Sequence, residues 1–440
     1  MTKPNLRVHP TQTLHGDLLP PGDKSISHRA VLFSALAKGT SRIRRALISG
    51  DCERSLAAVK ALGCQVRIGD GIVAITSPGR FELQAPDQAI DCGRSGTTIR
   101  LLCGLLAARP FASRLVADPQ LARRPMARVV NPLKRMGPSQ IRCATAGGAP
   151  VELVGGPLKA IRYRMPVASA QVKSALLIAA LDAHGVTEII EPGPARDHTE
   201  LMLEHMGALV ERIRLTTGHC VRILGPVGAL SPVELTVPGD PSSAAFWVVA
   251  ATITSGSDVW LRDVCINPTR DGALKVLERM GADIERHNPR VEHGEAIADL
   301  RVRSAPLRGL RIGGEEIVTM IDELPVLAVA ACVAQGPTVV TDAAELRVKE
   351  TDRIESTANA LRAIGAQIVS TADGWQIEGG QFLGGFASSA GDHRIAMALA
   401  VAGLVGKRAT CVKDFSCASD SYPGFVSHLR ALGARAHWES

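Results

Sequence analysis

Lys24, Ser25, Ser27, His28 and Arg29 crowd into "PGDKSISHR", directly ahead of the apolar run "AVLFSALA". A helix N-terminus presents unpaired N–H groups and the positive end of its dipole, and so selects Ser, Asp and Pro. Capping accounts for Asp23 or Ser25, and for Ser27. It does not account for Lys24 and Arg29, because the dipole disfavours cations at that end. Cations on a helix head make an anion trap. Comparable groups recur along the chain: Arg124 in "ARRPM", then Ser169, Gln171 and Arg196, then Asp322 and Glu323, then Lys349, Glu350 and Arg353 in "RVKETDR", and finally His393 with Arg394 in "GDHR". Asp322 and Glu323 lie between "IVTMI" and "LPVLAVAA", where burial of unpaired carboxylates is costly, so a role in proton transfer is the better reading. Lys349 and Arg353 are four residues apart, which predicts one shared helical face with Glu350 beside it. A solvated charged face is the plain alternative for that segment. His393, next to an arginine at a helix start, reads as part of a site rather than as a core histidine.

This inventory supplies cations for anions, hydroxyl and amide groups for a polyol, and carboxylates for proton transfer. The sequence has no P-loop, no G-x-G-x-x-G, no metal-ligand cluster, no G-x-S-x-G and no Cys–His motif. Its net charge of +7 favours an anionic partner. Only 3% of residues are aromatic and there is no basic run, which argues against nucleic acid and for small, highly charged ligands. A polar N-terminus without an apolar segment predicts no signal peptide, and the longest apolar stretches are too short to cross a bilayer. Ten cysteines without a C-x-x-C pair fit a reducing cytosol rather than a disulfide framework.

The elements that must position these residues are repeated. Polar starts followed by apolar helices occur at "PGDKSISHRAVLFSALA", "DCGRSGTTIRLLCGLLA", "PVASAQVKSALLIAAL", "VPGDPSSAAFWVVAATI", "MIDELPVLAVAACVA" and "SAGDHRIAMALAVAGL". They recur about every 70 to 85 residues, and such a period is the architecture. Each is followed by a second helix ending in a phrase such as "LKRMG", "LERMG" or "LRALG", where the glycine is a C-cap leading into a strand. The first helix of each repeat is apolar on more than one face, which predicts helices buried inside sheets. Six β/α units could form an array, a barrel or two threefold globules.

The motifs "PGDKSISHR", "SGTTIRLL", "RRPM", "PVASAQVKSALL", "RDHTE", "MIDELPVLAVAA", "AELRVKETDRI" and "GDHRIAMA" resemble the 5-enolpyruvylshikimate-3-phosphate synthase family, from about residue 15 to 430. The resemblance implies an α/β fold of two globular domains, each of three β/α repeats with inward-packed helices, the inside-out α/β barrel of enolpyruvyl transferases. It implies lobes of residues 22–242 and of 1–21 plus 243–440, with the active site in the cleft between them. It implies transfer of the carboxyvinyl group of phosphoenolpyruvate to the 5-hydroxyl of shikimate 3-phosphate, with release of phosphate and no metal or cofactor. That is a step of the shikimate route to aromatic amino acids and the target of glyphosate; the expected protein is a cytoplasmic monomer. By match to the family's motifs, Lys24, Ser25, Arg29, Ser169, Gln171, Arg196, Asp322 and Lys349 hold shikimate 3-phosphate. Lys24, Gly96, Arg124, Gln171, Arg353 and Arg394 hold phosphoenolpyruvate. Asp322 is the base, Glu350 and Lys24 are the proton donors, and His393 orients.

The chain departs from the family at Arg94, where "GRSGT" replaces an asparagine, and at Asp420 in "SDSYPGF". An Arg94–Asp420 ion pair is one expectation; an Arg94 turned to solvent is the other. Two further readings stay open. One is the sister transferase acting on UDP-N-acetylglucosamine, although its reactive cysteine is missing from "VADPQLARRPM". The other is a catalytically impaired relative that serves as a binding protein.

Overall fold

The computed structural model describes residues 4–145, 147–193, 195–216 and 218–439, so the first three residues of the polar N-terminal stretch lie outside it. Two compact units divide the chain. One contains Lys24–Val237 with His293–Glu295; the other contains Met1–Asp23, Pro238–Glu292 and Ala296–Ser440.

In the first unit the helices are α1 (Lys24–Ser34), α2 (Gly50–Ala61), α3 (Gly96–Leu106), the single turn α4 (Pro119–Ala122), α5 (Ala127–Met136), α6 (Ala170–Ala180) and α7 (His198–His205). In the second they are α8 (Pro241–Ile253), α9 (Gly272–Met280), α10 (Leu324–Cys332), α11 (Arg353–Ala363), α12 (His393–Gly403) and α13 (Phe425–Ala431). The six repeats are thus real elements. Six second helices, α2, α5, α7, α9, α11 and α13, are each followed within two residues by a glycine at φ 91–106°, a left-handed turn that L side chains rarely adopt.

Every residue of α10 and α12 is buried, and α1, α3, α6 and α8 leave only end residues partly exposed. Alanine, valine and leucine dominate these helices, so they bury all round with few polar groups to satisfy. Their packing forms one apolar core per unit. Around each core lie three sheets built to one plan, parallel pairing at one edge extended by two further strands. In the third repeat the parallel edge is split into two short strands, Leu158–Lys159 and Arg162–Arg164, both beside Ala183–Glu191. In the second repeat, Ile90–Asp91 runs parallel to Ala112–Val116, which pairs antiparallel with Val151–Val154 and then Gln140–Cys143. The last sheet is completed from the other end of the chain. Asn5–Val8 inserts between Thr410–Lys413 and Ala436–Glu439, antiparallel to both. No helix of the described residues is long and apolar enough to cross a membrane.

α3 and α6 approach so closely that a Cβ on Gly104 would lie 2.1 Å from the carbonyl oxygen of Ala175. Backbone cannot give way as a side chain can, so the two helices must separate to admit a methyl group. Gly104→Ala should therefore destabilise the protein by about 1–3 kcal/mol or more. A lowered urea midpoint is the expected result; an unchanged one would show that the contact is loose.

Candidate functional site

The heads of the buried helices are bound to one another by side chains. In the unit of the N-terminal repeats, Gln171 at the start of α6 donates its Nε2 to Thr97 Oγ1 at the start of α3, 3.0 Å away. Arg100, one turn into α3, donates Nη1 to Gln171 Oε1 at 2.6 Å. Arg29, in the second turn of α1, is buried and branches three ways: Nε to Thr199 Oγ1 at 2.8 Å, Nη2 to Ser174 Oγ at 2.8 Å and Nη1 to the Ser25 carbonyl at 2.9 Å. Early residues bonding to early residues means that α1, α3 and α6 run parallel, with their positive dipole ends together.

Around these heads sit most of the residues that the sequence singled out. Lys24 Nζ lies 2.9 Å from Asp51 Oδ2 of α2, and Arg196 Nη1 donates to Ser25 Oγ at 3.2 Å. Ser169 immediately precedes α6 without capping it through its side chain. Gly96 opens α3 between two guanidinium groups: a Cβ there would meet Arg100 Nη1 at 2.7 Å and Arg124 Nη1 at 3.4 Å. Gly96 therefore leaves the α3 head without a side chain beside two guanidinium groups, an arrangement that favours an anion.

The second unit repeats the device with carboxylates added. Ser242, at the start of α8, hydrogen-bonds through its hydroxyl to Glu323, the residue just before α10, and Arg394 of α12 donates Nη1 to the Ser242 carbonyl at 3.3 Å. Asp322 Oδ1 stands 3.1 Å from Lys349 Nζ and 3.2 Å from Arg353 Nη1. The buried Arg353 also pairs with Glu350 at 2.6 Å and Asp392 at 2.8 Å. Burial would lower the Arg353 pKa, but Asp392, Glu350 and Asp322 outweigh it and raise it. Burial would raise Asp392, yet the Arg353 guanidinium and His393 hold its carboxyl below the usual range. Asp392 also caps α12 by accepting from the Arg394 N–H at 2.9 Å. His393, the first residue of α12, is buried beside it.

One expectation needs correcting. Lys349 and Arg353 share no helical face: a 3-10 turn ends at Val348, Lys349 is extended, and α11 begins only at Arg353. Asp352 stops the helix from starting earlier, since its carboxylate caps α11 by accepting from the N–H groups of Ile354 and Glu355. The two cations meet at Asp322 instead, through tertiary packing. Arg94 Nε lies 2.9 Å from Oδ2 of Asp118, the residue that caps α4.

Several site residues escaped the sequence reading. Arg100 carried a signal, as the one cation inside the apolar helix "GTTIRLLCGLL". Arg270 had less: fully buried, it binds Asp23 at 2.9 Å, Asp240 at 3.2 Å and Ser242 Oγ at 2.8 Å, behind the α8 head. Asp51 had no local mark, and Asp392 was marked only by its place in "GDHR". Lys173 of α6 is also buried, with Glu191 at 3.0 Å and Glu200 at 2.7 Å. Burial alone would lower its pKa, but the two glutamates raise it above its ordinary value. Glu191 moves the other way: burial outweighs Lys173 and pushes its carboxyl up to about 7.

Two units of three β/α repeats, whose buried helices carry cations and acid–base groups on their heads, define an enzyme for small polyanionic substrates. The chain belongs to the EPSP synthase (3-phosphoshikimate 1-carboxyvinyltransferase) family, whose model matches residues 8–429. It is 48% identical over 429 residues to a 3-phosphoshikimate 1-carboxyvinyltransferase of Desulforudis audaxviator, covering 97% of this chain and 99% of that protein. It is 46% identical over 432 residues to one of Geobacter sulfurreducens, covering 98% of this chain and 100% of that protein. Among solved structures, an EPSP synthase of Acinetobacter baumannii is similar at 40% identity and a TM-score of 0.88, covering 99% of this chain and 100% of that one. These likenesses bear out the enolpyruvyl-transferase fold and decide against the UDP-N-acetylglucosamine reading.

The shift at Glu191 makes stability depend on pH. Its folded pKa of about 7 lies above the ordinary 4.5, so between those values the folded state binds more protons than the unfolded one. Its contribution is fully present below pH 4.5 and is lost as pH rises through about 7. Glu191→Gln should therefore gain stability relative to the parent as pH rises over that window. Urea midpoints of both proteins from pH 5 to pH 8 check this; a constant difference would place Glu191 elsewhere on the scale.

Proposed function

We propose that this protein transfers the carboxyvinyl group of phosphoenolpyruvate to the 5-hydroxyl of shikimate 3-phosphate, as a cytoplasmic monomer, and that the residues of both units serve this one reaction. The observation that carries the reading is Asp322: a carboxylate at the α10 head held by Lys349 and Arg353 at 3.1 and 3.2 Å, close enough to share one anionic, hydroxylated ligand. Family membership supplies the reaction, and the chemistry of the helix heads suits it.

In this reading Lys24, Ser25, Arg29, Ser169, Gln171, Arg196, Asp322 and Lys349 bind shikimate 3-phosphate. Lys24, Gly96, Arg124, Gln171, Arg353 and Arg394 bind phosphoenolpyruvate. Asp322 accepts the proton of the 5-hydroxyl as its oxygen bonds to C2 of phosphoenolpyruvate, while Lys24 or Glu350 delivers a proton to the methylene carbon. The tetrahedral intermediate then loses a proton from the new methyl group and expels phosphate, restoring the double bond. Guanidinium groups and helix heads stabilise the charge that moves onto the departing phosphate. His393 orients its neighbours through the Asp392–Arg353 pair. Arg100 supports Gln171, and Asp51 fixes Lys24.

Phosphate release with both substrates present, and none with either alone, is the expected result; its absence from correctly folded protein would favour an impaired, binding relative. Asp322→Asn should bind shikimate 3-phosphate almost normally yet turn over at least about 10²-fold more slowly, the usual scale for loss of a general base. Lys24→Met should weaken binding and turnover together. Near-normal turnover of Asp322→Asn would remove Asp322 from the role of base.

A further inference from the structure

Lys173 sits in the second turn of α6, next to Ser174, and is fully buried. An ammonium has three N–H groups, and this one has three oxygen neighbours: Glu191 Oε1 at 3.0 Å, Glu200 Oε1 at 2.7 Å and the Ala195 carbonyl at 3.1 Å. Nothing remains for a substrate, so Lys173 is not a catalytic group. Its partners, however, are three successive pieces of one segment. Glu191 ends the strand Ala183–Glu191, Ala195 directly precedes Arg196, and Glu200 lies beside Thr199 in α7. From this segment Arg196 and Thr199 reach the α1 head, where they meet Ser25 Oγ at 3.2 Å and Arg29 Nε at 2.8 Å.

A buried ion cluster is weak evidence for stability, because apolar side chains of similar size usually do as well. This one also carries two carboxylates for one cation, and burial pushes the Glu191 carboxyl up to about 7 despite Lys173. What the cluster does uniquely is fix a segment that crosses from strand to helix.

We propose that Lys173 is a positioning residue for shikimate 3-phosphate: by anchoring Glu191, Ala195 and Glu200, it holds Arg196 and Thr199 in register with Ser25 and Arg29. This rests on the reading of the site given above. The arginine is long and flexible, and an anchored Cα reduces the ordering it must undergo when the anion binds. Phosphoenolpyruvate, held in that reading by other residues except Lys24 and Gln171, does not depend on the anchor.

The test is steady-state kinetics on the full chain, with circular dichroism and urea midpoints as fold controls. Lys173→Met alone strands two buried carboxylates and is expected to fold poorly. The triple variant Lys173→Met/Glu191→Gln/Glu200→Gln removes that charge while keeping the volume. It should fold, raise the KM for shikimate 3-phosphate at least about tenfold, leave the KM for phosphoenolpyruvate within about twofold, and keep kcat within about threefold. Glu200→Gln leaves a balanced Lys173–Glu191 pair and loosens only the α7 anchor, so it should raise the same KM about threefold. A folded variant of either kind with an unchanged KM for shikimate 3-phosphate, or with both KM values raised equally, overturns the assignment. Parent protein that neither binds shikimate 3-phosphate calorimetrically nor releases phosphate overturns the reading of the site, and this assignment with it.

Discussion

Each unit gives three helices no solvent-facing side, and that constraint orders everything near the site. A helix buried all round can hold a polar group only where a partner is provided, and the first turns, with their N–H groups and dipole, are where partners gather. α1, α3 and α6 are joined there through Arg29, Arg100 and Gln171, and α8, α10 and α12 through Ser242, Glu323 and Arg394. Were one helix to slip by a turn, its capping groups would move about 5 Å and the cross-links would break together. Positioning of the site and packing of the core are therefore the same problem.

The two sets of heads differ in electrostatic character. Around Gly96 the side chains that converge are guanidinium and amide: Arg100, Arg124 and Gln171. Two guanidinium groups at a helix head favour an anion there. Around Arg353, by contrast, three carboxylates surround one buried guanidinium, with Lys349 sharing Asp322. There the protein supplies the negative charge itself and keeps it within reach of two cations. That arrangement suits a carboxylate that must take up a proton and give it back. At Arg94, where the chain departs from the family, Asp118 of the same unit lies 2.9 Å from the guanidinium Nε.

Much of this was legible in the residues. The period of the repeats, the glycine after each second helix and the cations on helix heads are local features, set by backbone geometry over a few residues, and they appear where the pattern put them. Recognition of the motifs carried the fold further than periodicity could, because six β/α units alone are compatible with several closures. The pattern misled at Lys349 and Arg353. A spacing of four residues has meaning only inside a helix, and Asp352 delays the start of α11 until Arg353.

What the sequence by itself determined is which segments become helices, where they begin and end, and which of them are too apolar to face water. Partnership was decided only by the tertiary structure. Arg29 finds Thr199 across 170 positions, Arg270 finds Asp23 across 247, and Asn5–Val8 completes a sheet made from the last residues of the chain. A capping signal acts within one turn, whereas a buried ion pair forms between whatever charged groups the packing of distant helices brings together, and no local spacing encodes that choice.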